Sequence, residues 1–337
     1  MQSVLLASLF LFVSPSAFKN NYLFYLSLKR KSNNLYFYFF FILCVIVLLF
    51  GLQGETIFQS GAYYSDAAAK ASFYEYFILF FLISFYYSSR KKFHLTLLFI
   101  LYLIYVIKTL LYGGRIEVVE MSIMTFLLFS VNYSVLVSPK KVLIFLLLFY
   151  YSNIVVSNFR NNIDLVINNE YLELLNPVDF LNSGYKVIYS NEGEVFHSSV
   201  RLVSLADQGY IPTSERIKSS FLFVLSVFVP IKLLPPYASL ISYKQYEANS
   251  GGGGLISSYF YVWFSWLGPI FLAFLLILVF SLIQHTNSDI IKLYGYMIFA
   301  TFPRWYAYNP LIFIKLCFWV IPIVFIANRI SNFTSKT

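Results

Sequence analysis

Residues 158–219, NFRNNIDLVINNEYLELLNPVDFLNSGYKVIYSNEGEVFHSSVRLVSLADQGYIPTSERIKS, form the one long polar stretch of the chain, and its reading decides the fold. It carries Arg160, Asp164, Glu170, Glu173, Lys186, Glu192, Glu194, His197, Arg201, Asp207, Glu215 and Arg216 among its charged and titratable residues. A charged side chain at the centre of a membrane span costs roughly 2.5–3.5 kcal/mol on insertion scales, so no bilayer interior holds this segment. Almost everything on either side of it is apolar run.

Outward from that stretch, composition sets the class. Hydrophobic residues make up 59% of the 337 and charged residues 12%, about half the charged fraction of an ordinary soluble domain. The expected fold is an all-α integral membrane protein; a barrel would need short alternating strands instead of continuous runs. The net charge of +9 does not point to nucleic acid. Its basic residues sit in short clusters between apolar runs, where the positive-inside rule places them. Cys44 and Cys317 both lie inside apolar runs, which argues against a disulfide or a metal site. Residues 1–17 have the apolar core and the Ser14-Pro15-Ser16-Ala17 end of a signal peptide, but no positive residue precedes the core, so the segment is expected to be retained.

A span needs about 20 apolar residues. Candidates begin near residue 3 and continue at 35–52, 73–88, 94–112, 116–137 and 142–157. After the polar stretch, 221–234 is short and contains Pro230 and Lys232, followed by Pro235 and Pro236, so it reads as re-entrant or interfacial. Further spans are expected at 259–283, 290–302 and 311–327, with an outer turn at 303–310. The total is about 9–10 transmembrane helices. Three regions follow: N-terminal transmembrane helices (1–157), a large outer loop with the re-entrant segment (158–254) and C-terminal transmembrane helices (255–337). Basic clusters at 29–31, 90–92 and 140–141 alternate with the spans and place the large loop outside. Of the 15 acids, only Asp289 then falls on the inner side. Within the loop, helical spacing predicts short helices, one of them over 200–205 and closed by Gly209.

No phosphate-binding Gly-Lys loop, dinucleotide fingerprint, His-Glu-x-x-His or Asp-x-Asp pair is present, so neither a metal nor a nucleotide cofactor is expected. An enzyme of this kind needs a substrate that is already activated. Arg115 follows two glycines at the outer end of a span; it reads either as an interfacial anchor or as a bidentate clamp on phosphate. Arg201 and Arg216 near the end of the loop, and Arg304 in an outer turn, are surface or belt residues in the plain reading. Together with Arg115 they offer positive charge for a pyrophosphate at the lipid surface. Gly251, Gly252, Gly253 and Gly254 precede a span, as a hinge or as a cradle of backbone N–H groups for an anion. His197, the one outer histidine, is a solvated loop residue or a general base toward a sugar hydroxyl, with Glu192 and Glu194 as rivals. Lys108 and Lys315 lie within two turns of outer span ends and are expected to snorkel.

The large outer loop, Gly113-Gly114-Arg115, the Pro230-x-Lys232-x-x-Pro235 element and the glycine-led GGGGLISSYFYVWFSWLGPIFLAFLL segment resemble the O-antigen polymerases of the Wzy type. The resemblance implies a glycosyltransferase that joins undecaprenyl-pyrophosphate-linked oligosaccharide repeat units on the periplasmic face of the inner membrane. It also implies contact with membrane lipid and a possible chain-length regulator protein. It carries Arg115 and the glycine run to the lipid-pyrophosphate site, whereas His197, Arg201, Arg216 and Arg304 are assigned from position and chemistry. Alternatives are the related O-antigen ligase, a lipid-linked oligosaccharide flippase and, through His94 at the inner end of its span, a membrane acyltransferase.

Overall fold

A computed structural model describes residues 26–29, 31–50, 75–112, 116–133, 191–229, 233–234, 254–308 and 311–334. All regular structure among them is helical. Two helical segments, Lys92–Thr109 and Leu267–His285, are long and apolar enough to cross a membrane. The expected spans from residue 3 and at 142–157, and the helices expected between 163 and 184, lie outside the described residues. The chain divides into two units, Ser27–Gly184 with Val324–Thr337, and Met1–Leu26 with Tyr185–Ile323.

The first unit is a bundle of α1 (Asn34–Phe50), α2 (Tyr76–Tyr87), α3 (Lys92–Tyr112) and α4 (Ile116–Tyr133). They coincide closely with the runs expected at 35–52, 73–88, 94–112 and 116–137. The sequence of α2, YFILFFLISFYY, is apolar on every side, and a helix of that kind has to be enclosed. It is: every residue from Phe77 to Tyr87 except Phe80 is buried. α1 runs antiparallel to it. Asn33 N donates to Tyr87 O at 3.0 Å, while Ser84 Oγ donates to Phe37 O at 3.2 Å one stretch further along. The Phe77 ring stacks on Tyr105 of α3 at 4.1 Å, and Tyr102 of α3 meets Ser122 of α4 at 3.3 Å. Outward, α1 presents Leu35, Phe39, Ile42, Ile46 and Leu49, an uninterrupted exposed apolar stripe, and α3 presents Ile100, Leu103, Ile104 and Ile107.

In the second unit the polar stretch ends in two helices, α5 (Asn191–Asp207) and α6 (Thr213–Leu225). α5 stops where Gly209 takes φ +72°. Tyr210 N then bonds Leu205 O at 3.1 Å and Gly209 N bonds Ala206 O at 3.3 Å, the paired closure of a glycine C-cap. The expected helix at 200–205 is therefore present, but it starts at least two turns earlier. α6 differs from expectation in a second way. It begins inside the polar stretch and runs on into the apolar segment expected from 221, because Thr213–Lys218 supplies a polar first turn and a half for the same helix. Ile217, Phe221 and Val224 form an exposed apolar line along it, continued past its end by Phe228.

The expected single span at 259–283 is two helices, α7 (Ile256–Phe264) and α8 (Leu267–His285). Ser265 between them has φ +53°, outside the helical region, and Pro269 sits in the first turn of α8, where a missing N–H is harmless. Gly268 explains why the break is so tight: a Cβ there would lie 2.0 Å from Phe260 O. α7 is buried from Ile256 to Trp263, so it is a central element of this unit. α8 instead exposes Leu267, Phe271, Phe274, Leu278 and Leu282 along one side. α9 (Asp289–Ala300) matches the expected run at 290–302. The expected outer turn at 303–310 is a short helix, α10 (Phe302–Ala307), anchored by Trp305 Nε1 donating to Ile298 O at 2.9 Å. α11 (Leu311–Thr334) extends seven residues past the run expected to end at 327.

Candidate functional site

The four helices that carry or adjoin the sequence-assigned residues are arranged about α7. Its amino-terminal end is held by α5 and by the residue that follows α10. Leu255 N donates to Ser199 Oγ at 2.7 Å, Gly254 N to Tyr308 O at 3.4 Å, and Tyr259 Oη to the same Tyr308 oxygen at 3.1 Å. Further along, Tyr261 Oη donates to Asp207 Oδ1 at 2.7 Å and Trp263 Nε1 to Ser219 Oγ at 3.3 Å. Ser199 meets Leu255 and Asp207 meets Tyr261, so α5 runs alongside α7 in the same direction.

Arg216 closes the other end. Its side chain is only 8% exposed. Nε donates to Val262 O, and Nη2 donates to Tyr261 O at 3.1 Å and to Ser265 Oγ at 2.9 Å. The last carbonyls of a helix have no partner within it, and a guanidinium there satisfies them and complements the negative end of the helix dipole. Arg216 is therefore not on the surface, and these donors hold the α7–α8 joint.

His197 and Arg201 are one helical turn apart on α5 and both exposed; residues at that spacing have Cβ atoms about 6 Å apart. The inward face of α5 is Val195, Ser199, Leu202 and Ala206. At 100° per residue, His197 and Arg201 lie opposite it, facing away from α7. Arg304 is half-buried on α10, and its carbonyl accepts Tyr308 N at 2.9 Å. The structure therefore pairs His197 with Arg201. It sets Arg216 apart at one end of α7 and brings the Arg304 helix to the other end, beside Gly254. Glu192 and Glu194 are within α5. Arg115, Gly251, Gly252 and Gly253 lie outside the described residues.

Gly254 is buried, and a Cβ on it would sit 3.0 Å from Tyr259 Oη and 3.1 Å from that ring, a tight fit that the Tyr259 side chain would have to relieve. Ser257, in that first turn, was not singled out in the sequence. It is fully buried, and its Oγ has no hydrogen-bond partner. A hydroxyl in an apolar run gives no sequence signal that sets it apart from Ser258, whose Oγ donates to Leu255 O at 2.6 Å.

In the bundle, Lys108 Nζ reaches Leu48 O at the end of α1, so this lysine caps a neighbouring helix in addition to lying near a span end. Glu117 and Glu120, expected only as acids at an outer span end, are 8% and 1% exposed. His94 stacks on Phe37 with ring centroids 3.9 Å apart. Its Nδ1 accepts Ser89 N at 3.1 Å and lies 3.0 Å from Ser89 Oγ. A nitrogen that accepts a backbone N–H is the unprotonated one, so the ring closes the turn before α3. No cluster of three or more metal-ligating side chains occurs among the described residues.

No family model, curated protein or solved structure matches the chain.

Proposed function

We propose that the chain is a polytopic membrane glycosyltransferase that polymerises lipid-pyrophosphate-linked oligosaccharide repeat units, working on the periplasmic face of a bacterial inner membrane. The observation that carries the membrane part is the set of helix-long apolar stripes on α1, α3 and α8, which water does not tolerate and hydrocarbon does. Such stripes surround helices with buried centres, as expected of spans that face lipid on one side and each other on the other. The chemistry rests on the polar helix α5. His197 and Arg201 share an exposed face one turn apart, an imidazole able to take a proton from a sugar hydroxyl beside a guanidinium able to hold phosphate oxygens. The leaving group, a lipid pyrophosphate, carries its own activation, which fits a chain without nucleotide or metal motifs. Arg216 serves this reading as a positioning residue, since it fixes the α7–α8 joint. Gly254 and the α10 residue Arg304 border the other end of α7, where Gly254 N and Leu255 N are already engaged by Tyr308 O and Ser199 Oγ, so in this reading Arg304 and not the glycine backbone supplies the positive charge.

The test is removal of the gene followed by electrophoresis of the surface glycan. A polymerase leaves one repeat unit per lipid anchor. Loss of all surface glycan over a normal core instead identifies the ligase or flippase alternative, and an unchanged ladder removes all three.

A further inference from the structure

The sequence spreads its inner basic residues over separate clusters, and the bundle gathers several of them at one end. Asn33 joins Tyr87 there. Lys31 Nζ and Tyr87 Oη both donate to Asn328 Oδ1, at 2.6 and 2.9 Å, and Asn33 Nδ2 donates to Ser331 Oγ at 3.4 Å. Asn132 Oδ1, from the end of α4, accepts Leu28 N at 3.3 Å. Lys29, Lys31, Arg90, Lys91 and Lys92 therefore share one end of the bundle. The acids Glu75, Glu117 and Glu120 begin α2 and α4 at the opposite end.

Arg90 makes this more than a sprinkling of surface lysines. It is one of two non-glycine residues with positive φ among the described residues, at 53°, a conformation that persists where the surroundings enforce it. The surroundings do: Nη2 is held by Leu28 O at 3.3 Å and Asn132 Oδ1 at 3.4 Å, and the guanidinium lies 5.6 Å from the centre of the Phe85 ring. The guanidinium is thus rigidly placed at the head of a turn continued by the exposed Lys91 and Lys92.

We propose that the turn at residues 88–92, together with Lys29 and Lys31, is a seat for the phosphate of an anionic phospholipid headgroup. This rests on the membrane reading above but not on the polymerase reading. The occupant is a lipid and not a soluble phosphate because α3, into which the turn leads, and α1, whose start is brought beside the turn by the Asn33–Tyr87 bond, both carry exposed apolar stripes, which acyl chains cover. A headgroup is held there by charge from below and by hydrocarbon contact alongside.

The experiment uses the purified full chain in phosphatidylcholine vesicles with and without phosphatidylglycerol, with bound lipid read by native mass spectrometry and heat stability read in parallel. Each engaged basic group favours an anionic headgroup about fivefold, so phosphatidylglycerol should be retained at least tenfold over phosphatidylcholine. Arg90→Gln should lower that preference about fivefold. Lys91→Gln with Lys92→Gln, which alters only exposed side chains, should also lower it, and guards against a variant that fails to fold. Lys292→Gln, the same charge change in the other unit, should leave it intact. Equal retention of the two lipids overturns the proposal, as does full preference in both the Arg90 and the double-lysine variants. So does inorganic phosphate at matching concentration raising the stability as much as the lipid does. A chain that does not float with phosphatidylcholine vesicles at all sinks the membrane reading instead, and that result is distinguishable from the others.

Discussion

At the centre of the N-terminal bundle stands α2, and at the centre of the C-terminal unit stands α7; both are short, aromatic and enclosed, but by different means. α2 is wrapped mainly by apolar side chains, with side-chain hydrogen bonds from Ser84 Oγ to Phe37 O near its middle and from Tyr87 Oη to Asn328 Oδ1 at its end. α7 is tied by polar groups at both ends and along its length: Ser199, Tyr308, Asp207, Ser219 and Arg216 each bond to it. Apolar enclosure is non-directional and tolerates sliding, while hydrogen bonds fix register. α7 backs α5, the helix that carries His197 and Arg201 on its far face, and it is held in the second way.

The sharpest way to break this comparison is at the α7–α8 joint. Gly268→Val places side-chain atoms where Phe260 O already stands, 2.0 Å from the position of a Cβ. The backbone there cannot yield without losing the helix packing, so we expect no folded protein in the membrane fraction. Normal amounts of folded Gly268→Val protein would show that the joint is loose. The next effect is Arg216→Ala. Removing the guanidinium takes away the donor to Val262 O and one of the two donors to Tyr261 O, and hydrogen bonds to a charged group are each worth about 1.5–3 kcal/mol. A loss of about 3–5 kcal/mol is expected in unfolding from mixed micelles, with Arg216→Lys recovering only part because an ammonium does not span two carbonyls and a hydroxyl in one plane. Full recovery by lysine would reduce the residue to a simple counter-charge.

His197→Ala sharpens the comparison from the opposite side. The residue is exposed and faces away from α7, so its loss should leave stability unchanged within about 0.5 kcal/mol. If it is the general base, turnover falls by about 10²–10⁴, seen as a collapse of the glycan ladder at a normal level of inserted protein. A ladder that weakens only in step with protein level would make His197 a structural residue and move the chemistry off α5.

How far these features could be read from sequence follows from the same difference. YFILFFLISFYY announces an enclosed helix by itself, and the runs around it marked α1, α3 and α4 to within a few residues. α7 was read as the first part of one long span, because ISSYFYVWFSWLGPIF is continuous in hydropathy. What breaks it is the close approach of Gly268 to Phe260 and a cap from Arg216, which lies 46 residues before its acceptor Val262. Periodicity reports neither. The candidate residues fared likewise. The stop at Gly209 was legible because a C-cap glycine is a local signal, and His197 and Arg201 were legible as titratable groups in a polar stretch. That they share the outward face of α5, while Arg216 is buried, depends on which side of α5 and α6 meets α7. The burial of Glu117 and Glu120 was hidden for the same reason: composition sees a charge near a span end but not which way the helix is turned.

The smallest effect gives the finest test, because the same chemical change can be made in both units. Tyr261→Phe removes a hydroxyl that donates at 2.7 Å to the Asp207 carboxylate, and Tyr102→Phe removes one that meets Ser122 Oγ at 3.3 Å. A bond to a charged acceptor is worth about 1.5–3 kcal/mol and a neutral one about 0.5–1.5. Asp207 is exposed, so water replaces part of what Tyr261 supplies, and its loss should fall near 1.5 kcal/mol. Ser122 is buried, yet the longer distance and the neutral pair keep the expected loss for Tyr102→Phe below about 1 kcal/mol. The two variants also differ in what else they move. Tyr261 belongs to α7, whose register α5 shares through this bond, so its loss should lower turnover as well as stability. Tyr102 lies between two bundle helices whose packing is apolar, and its loss should leave turnover unchanged. If Tyr102→Phe were the more costly of the two, or if only Tyr102→Phe lowered turnover, directed bonds would matter most in the bundle, and α7 would be one more helix held by apolar contact.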